Sequence, residues 1–388
     1  MTEYSRRFAA LDTNVVHAGR PEPSVEGAVV TPIFQSANYL MGDESAYGDL
    51  RYARLSNSPN HHVLDARLAV LENTEAALVT SSGMSAITCT LLAFLRSGDH
   101  VIAHNSLYGG MQAWFEHEGP KLGITCTRID AKTPEGWERA LRPETRVVYV
   151  ESITNPLMEV LDLEAIVAFA RRHGLTSIID NTFTSPVNFR PHDLGFDLSV
   201  HSATKYLNGH SDIVAGAVAG TRAHIERVRH VLNHMGGSLD PHACFLLERG
   251  MKTLVLRMER QNATALRVAR ALVANRKVRR VNYAGLEDDP GSKIARKIFK
   301  GCGGMLSFYT QTAEQAARFL ERVRIPIHAA SLGGTETLVV RPSRSSHLGL
   351  TAEERDRVGV TDDLIRVSVG IESAEELVAD FEQALAGA

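Results

Sequence analysis

The stretch from residue 146 to residue 183 constrains the fold more than any other part of the chain. RVVYVES and TSIIDNTF are short, apolar, β-branched runs of the kind that form strands buried on both faces. Between them DLEAIVAFARRHG reads as a single helix. Asp162 is placed as its N-cap, Leu163, Ile166, Val167 and Ala170 share one face, and Gly174 is its stop. Strand, helix, strand at this spacing is a βαβ unit, which implies a mainly parallel sheet with helices on both faces. VIAH supplies a further buried run, and HHVLDARLAVLE sets Leu64, Leu68 and Leu71 at i, i+4, i+7 on one helix face.

The expected class is therefore α/β. The 388 residues, 44% of them hydrophobic, are enough for one large core and a second smaller one. Residues 1–60 carry scattered prolines, glycines and serines without sustained periodicity, yet TPIFQSANYL and RYARLSN are too apolar for a solvated tail. They are expected to form an ordered arm. Residues 61–250 are read as the large domain and 251–388 as a smaller α/β domain, with strands at GGMLSFY, TLVV and LIRVSVG. Its final helix carries Leu377, Phe381 and Leu385 and is capped by Ser373 with Glu376.

Charge and composition narrow the partners. Forty-two Lys+Arg against 45 Asp+Glu give a net charge of −3, so no global field draws nucleic acid or a membrane, and a small molecule is expected. Cys89, Cys126, Cys244 and Cys302 have no CxxC or zinc-type spacing, so no metal site is expected. The absence of an apolar leader run or an 18-residue apolar span leads to the expectation of a cytoplasmic protein.

The chemistry concentrates in residues 180–212, DNTFTSPVNFRPHDLGFDLSVHSATKYLNGHSD. Asp180 ends a buried strand, where open α/β sheets present ligand-binding groups, and Lys205 follows a second apolar pair and a hydroxyl-rich turn. A lysine that can form a Schiff base and a carboxylate that can keep a pyridine nitrogen protonated are the two groups pyridoxal 5′-phosphate (PLP) requires. Ser202 and Thr204 are candidate donors to its phosphate.

These segments resemble the Cys/Met-metabolism PLP enzymes, the family of cystathionine γ-synthase, cystathionine γ-lyase and methionine γ-lyase. The likeness runs from about residue 12 to 385 through YARLSN (52–57), SSGMSAI (81–87), YGG (108–110), ESITNPLMEV (151–160), DNTF (180–183), HSATKYLNGHSD (201–212), SLGGTETL (331–338) and IRVSVGIE (365–372). It implies the fold-type I (aspartate-aminotransferase-like) architecture with an extended N-terminal arm. It further implies that Gly83 and Met84 offer main-chain N–H groups to the phosphate, that Tyr108 stacks on the cofactor and assists proton transfer, and that Asn155 orients its ring. Arg366, with Ser331 beside it, is implied as the grip on a substrate α-carboxylate. Tyr52 and Arg54 would reach the cofactor phosphate of a neighbouring subunit, so the active site would be shared across a dimer and dimers would pair into a tetramer.

The implied reaction is γ-elimination or γ-replacement on a γ-substituted amino acid, sulfur-containing or of the O-acyl-homoserine type. Lys205 removes the α-proton and Asp180 maintains the electron sink. A β-eliminating C–S lyase shares this fold and cofactor. An aminotransferase conflicts with the SATKY context, and a non-catalytic PLP-binding regulator lacks the helix-turn-helix it would need. Four departures bear on the substrate. Gly110 stands where methionine γ-lyases typically carry cysteine. Ala330 and Arg51 stand where enzymes that handle cystathionine usually carry acidic residues. Arg341 and Arg344, near His347, add positive charge. His61 and His62, in LSNSPNHH, are read as surface-loop histidines.

Overall fold

Seven buried or half-buried strands make the larger sheet: β1 (Ala76–Thr80), β2 (His100–His104), β3 (Thr125–Ile129), β4 (Thr145–Glu151), β5 (Thr176–Asp180), β6 (Leu198–His201) and β7 (Gly216–Gly220). The structure is a computed structural model that describes residues 3–388 except 44, 46, 48, 49, 131–133, 346, 347, 349, 350 and 358. The strand order is β1-β7-β6-β5-β4-β2-β3. Only β7 runs against its neighbours, so the sheet is mainly parallel, as the βαβ unit predicts. β7 carries little strand signal in the sequence, because GAVAG is mostly glycine and alanine with a single β-branched residue. Its small residues have a packing reason: a Cβ on Gly216 would collide with the carbonyl of Ser82.

Helices cover both faces. α2 (Pro59–Glu72) buries Leu64, Leu68 and Leu71 against one face, beside the helix Leu163–His173. On that helix Asp162 accepts the Ala165 N–H at 3.0 Å and Gly174 closes it at φ +62°, the backbone region open to glycine. α3 (Gly83–Phe94) and the helix Arg222–Met235 pack Ala86, Leu91, Ile225 and Val228 on the other face. Each fully buried Leu or Ile contributes roughly 1.5–3 kcal/mol by leaving water. Enclosure on both sides leaves only the strand ends accessible.

A second sheet, in the order β10-β11-β12-β9-β8, is built from β8 (Val278–Asn282), β9 (Met305–Thr310), β10 (Ile327–His328), β11 (Leu338–Val340) and β12 (Leu364–Ser368). The helices Leu254–Ala274 and Ala374–Ala386 close its core, the latter capped by Ser373 through the Glu376 N–H. Among the described residues before α2 there is one α-helix, α1 (Leu11–His17), where no sustained periodicity was expected. α2 itself begins at Pro59, so the segment after Ser58 is helix rather than loop. Among the described residues no helix is long and apolar enough to cross a membrane.

Candidate active site

Glu151 and Asp180 are the last residues of β4 and β5 and lie directly opposite each other in the parallel register. Asp180 is buried, and its Oδ1 accepts from the Thr182 N–H at 2.9 Å and the Thr182 hydroxyl at 2.5 Å. That hydroxyl in turn accepts the Ser202 N–H at 2.9 Å, tying the end of β5 to the turn that leads to Lys205. Burial raises the Asp180 pKa, and the two Thr182 donors oppose that shift.

The same turn meets the start of α3. A Cβ on Gly83 would sit 2.8 Å from the Ser202 Cβ and 2.9 Å from its Oγ. Glycine thus leaves a small polar recess between the first turn of a twelve-residue helix, capped by Ser82, and the Ser202 hydroxyl. Anion-binding main-chain donors, a hydroxyl, the Lys205 amine and the Asp180 carboxylate form a donor set that matches PLP. Tyr108 stands at the N-cap of α4 (Gly109–Ala113) and is 44% exposed. A Cβ on Gly110 would lie 2.6 Å from that ring, so in this pose the ring occupies the space a cysteine there would need.

Across from these groups, the turn before β11 delivers Ser331. Lys205 Nζ donates to Ser331 Oγ at 2.6 Å. Ser331 is held at φ +83°, a region that costs a non-glycine residue strain. Two residues on, Gly333 packs so closely that a Cβ would be 2.8 Å from the Tyr206 main-chain nitrogen, which fixes this turn on the Lys205 loop. Arg366, on β12 and 5% exposed, donates to Asn155 Oδ1 and to the Ser331 carbonyl, each at 3.1 Å. Both acceptors are neutral, and among the described residues no carboxylate lies within ion-pair distance of Arg366. Burial brings the Lys205 pKa down to about 8, with the Arg366 charge as the second cause, and burial brings Arg366 to about 10.

Residues 12–386 match the family described as Cys/Met metabolism PLP-dependent enzyme. The chain belongs to that family. It is 39% identical over 395 residues to an L-methionine γ-lyase of Pseudomonas putida, covering 98% of each chain. It is 36% identical over 389 residues to a cystathionine β-lyase of Coxiella burnetii, covering 99% of this chain and all of that one. Its structure is similar to a cystathionine γ-lyase from Lactobacillus plantarum solved with L-serine, at TM-score 0.92 and 34% identity over 97% of this chain and 98% of that one. The protein is thus a PLP-dependent enzyme of the fold-type I class, and its relatives carry both γ-lyase and β-lyase names.

Other residues singled out from the sequence lie elsewhere or are already engaged. Thr204 is a near neighbour of the lysine, but its hydroxyl donates to the Ala215 carbonyl at 3.1 Å and accepts the Ala215 N–H at 3.0 Å. Among the described residues the Ser202 hydroxyl makes no such bond to Ala215, and it lies against Gly83 at the start of α3. Tyr52, 39% exposed, and Arg54 are not brought to the Lys205 cluster. Arg54 donates to the Asn233 carbonyl at 2.7 Å, pairs with the Tyr47 hydroxyl and lies over the Tyr52 ring. Arg51 lies over the Tyr39 ring, 5.5 Å from its centroid. Arg341 has Asp362 at 3.8 Å, which offsets its charge, Arg344 is exposed, and His347 is outside the described residues.

The surface-loop reading of the histidines is overturned for His61. It is fully buried in the first turn of α2 with Nδ1 2.7 Å from Ser58 Oγ, because the proline before it starts a helix instead of extending a turn. Burial lowers its pKa to about 4. Glu151 and Thr182 are contributors the sequence reading missed. For Glu151 a signal existed: it terminates a buried strand just as Asp180 does.

Proposed function

We propose that this enzyme eliminates or replaces a substituent on the γ-carbon of an amino acid, using Lys205 as the proton-transferring base and Arg366 as the carboxylate grip. The reading is carried by one observation. A buried guanidinium with only neutral partners lies behind Ser331, whose hydroxyl holds the Lys205 amine. An amino acid supplies the missing anion, and an unmatched buried cation pays a desolvation cost that a bidentate carboxylate offsets.

Bound PLP supplies an electron sink for the substrate α-carbon. Ser202 with the Gly83 and Met84 main chain would hold its phosphate, Asp180 its ring nitrogen and Lys205 its aldehyde carbon, with Tyr108 over the ring and Asn155 beside it. Lys205, with a proton affinity near neutrality, suits the removal of one proton and its return nearby. A γ-leaving group requires proton removal at both the α- and β-carbons. A long lysine anchored by one hydroxyl, with no carboxylate locking it among the described residues, has the reach for both. Tyr108 is the second proton carrier on the exposed side.

The exposed arm pair Tyr52 and Arg54 completes the site of a neighbouring copy in a dimer, with dimers pairing into tetramers. The contacts Arg54 makes, with the Asn233 carbonyl and the ring of the exposed Tyr52 instead of its own Lys205 cluster, support this assignment.

Cystathionine distinguishes the outcomes in one assay. Cleavage on the γ side yields cysteine, ammonia and α-ketobutyrate, whereas cleavage on the β side yields homocysteine, ammonia and pyruvate. α-Ketobutyrate from cystathionine, methionine or O-acetyl-homoserine is the expected product, and adding a thiol tests replacement. Pyruvate as the dominant product would assign β-elimination instead.

A further inference from the structure

Glu151 is 4% exposed, lies opposite Asp180 in the strand register, and among the described residues has no cation within ion-pair distance. Its Oε1 accepts the main-chain N–H of Tyr108 at 2.6 Å. The groups facing this carboxyl are few. Asp180 lies beside it on β5, Tyr149 precedes it by two residues on the same face of β4, the Tyr108 main chain donates to it, and the Asn155 main chain faces it. His201, on β6, is near Asp180 and is hydrogen-bonded to Glu72, its Nε2 2.6 Å from Oε1.

Two buried carboxylates side by side disfavour double ionisation, and the one positive charge that a bound cofactor's ring nitrogen would bring balances only one of them. Asp180 has two donors from Thr182, one side-chain and one main-chain, to hold a negative charge, whereas among the described residues Glu151 is met by main-chain N–H alone. Burial and the Asp180 charge push Glu151 well up, in the same sense. We propose that Glu151 is a positioning residue that works as an uncharged acid, anchoring the main chain of Tyr108 at the site while leaving the buried negative charge to Asp180.

The inference rests on the reading that Tyr108 and Asp180 serve the cofactor, and it adds a residue to which nothing in that reading gave a role. An apolar residue at 151 would leave the Tyr108 N–H without its acceptor, and an ionised glutamate would compete with Asp180 for donors. Glutamine keeps the acceptor and the neutrality together.

The test compares holoenzyme of the wild type, Glu151→Gln and Glu151→Ala. The infrared difference spectrum of wild type minus E151Q at neutral pH is expected to contain the carbonyl stretch of a protonated carboxyl, which shifts in deuterated water. E151A is expected to lose about tenfold or more in kcat, as for one lost anchoring bond and a displaced catalytic ring, with KM moved less. E151Q is expected to recover most of that loss, and its acid limb of the pH profile should coincide with that of the wild type. A wild type without the protonated-carboxyl band, or a band that persists in E151Q, overturns the inference. So does an E151Q enzyme as impaired as E151A, or one whose acid limb is displaced by about a pH unit. Failure of the cofactor reading itself would appear separately, as Lys205→Ala retaining turnover.

Discussion

Lys205 Nζ donates to Ser331 Oγ at 2.6 Å although 126 residues separate them, and this bond is the point where the loop after β6 meets the turn before β11. Ser331 also presents its carbonyl to Arg366. One strained residue therefore touches both the proposed base and the proposed carboxylate grip.

Ser331→Ala isolates the hydroxyl, because the carbonyl that serves Arg366 remains. The expected outcome is a fall in kcat of about tenfold, equivalent to one hydrogen bond to a charged group of about 1.5 kcal/mol, with the cofactor still bound. Steady-state kinetics alongside the cofactor absorbance checks it.

Arg366→Met removes the grip and its charge together. KM for the amino acid is expected to rise on the order of a hundredfold, as when one partner of a buried charge pair worth about 3 kcal/mol is lost. The sign of the second effect follows from the charge. The guanidinium disfavours protonated Lys205, so removing it raises the lysine above about 8, although burial, the larger cause, remains. A pH titration of the apoenzyme lysine by its reactivity toward an amine-selective reagent reads that shift.

Sharing of the site between copies predicts complementation. Lys205→Ala and a Tyr52→Ala, Arg54→Ala double variant are each expected to be inactive or nearly so. Subunits mixed from the two should regain activity, because some sites then combine an intact lysine with an intact arm. Mixtures that remain dead after verified subunit exchange would place Tyr52 and Arg54 outside the site.

His61 should contribute to acid lability. The unfolded chain takes up a proton on this histidine near pH 6.5, whereas the folded protein does so only near 4. The unfolded state therefore binds more protons across that window, and stability falls as pH drops from 6.5 to 4. The loss is at most about 3 kcal/mol, from the 1.36 kcal/mol carried by each pKa unit. Denaturant titrations at several pH values should show a shallower decline in His61→Gln than in the wild type.

The βαβ unit, the helix face of α2 and the cap of the helix Leu163–His173 were legible in the sequence because each rests on local periodicity and local hydrogen bonds. β7 was not, since its small residues answer to the close approach of Ser82, a contact over 130 residues of chain that no local pattern records. Asp180 and Lys205 stood out through the chemistry their spacing permits. Gly83 and Ser331 were marked only by family resemblance, and their physical reasons, a recess against Ser202 and a strained turn over Tyr206, exist only after folding. Glu151 and Thr182 escaped notice because their work is done through neighbours. The histidine pair was misplaced because Ser58 and Pro59 are equally at home in a turn and at a helix start.

The most direct test of the account is to reduce the purified holoenzyme with borohydride, digest it, and locate the modified lysine by peptide mass. The reduced pyridoxyl phosphate is expected to be fixed to Lys205, and Lys205→Ala is expected to acquire no such label and no turnover. A label on another lysine, or undiminished turnover in Lys205→Ala, would contradict it.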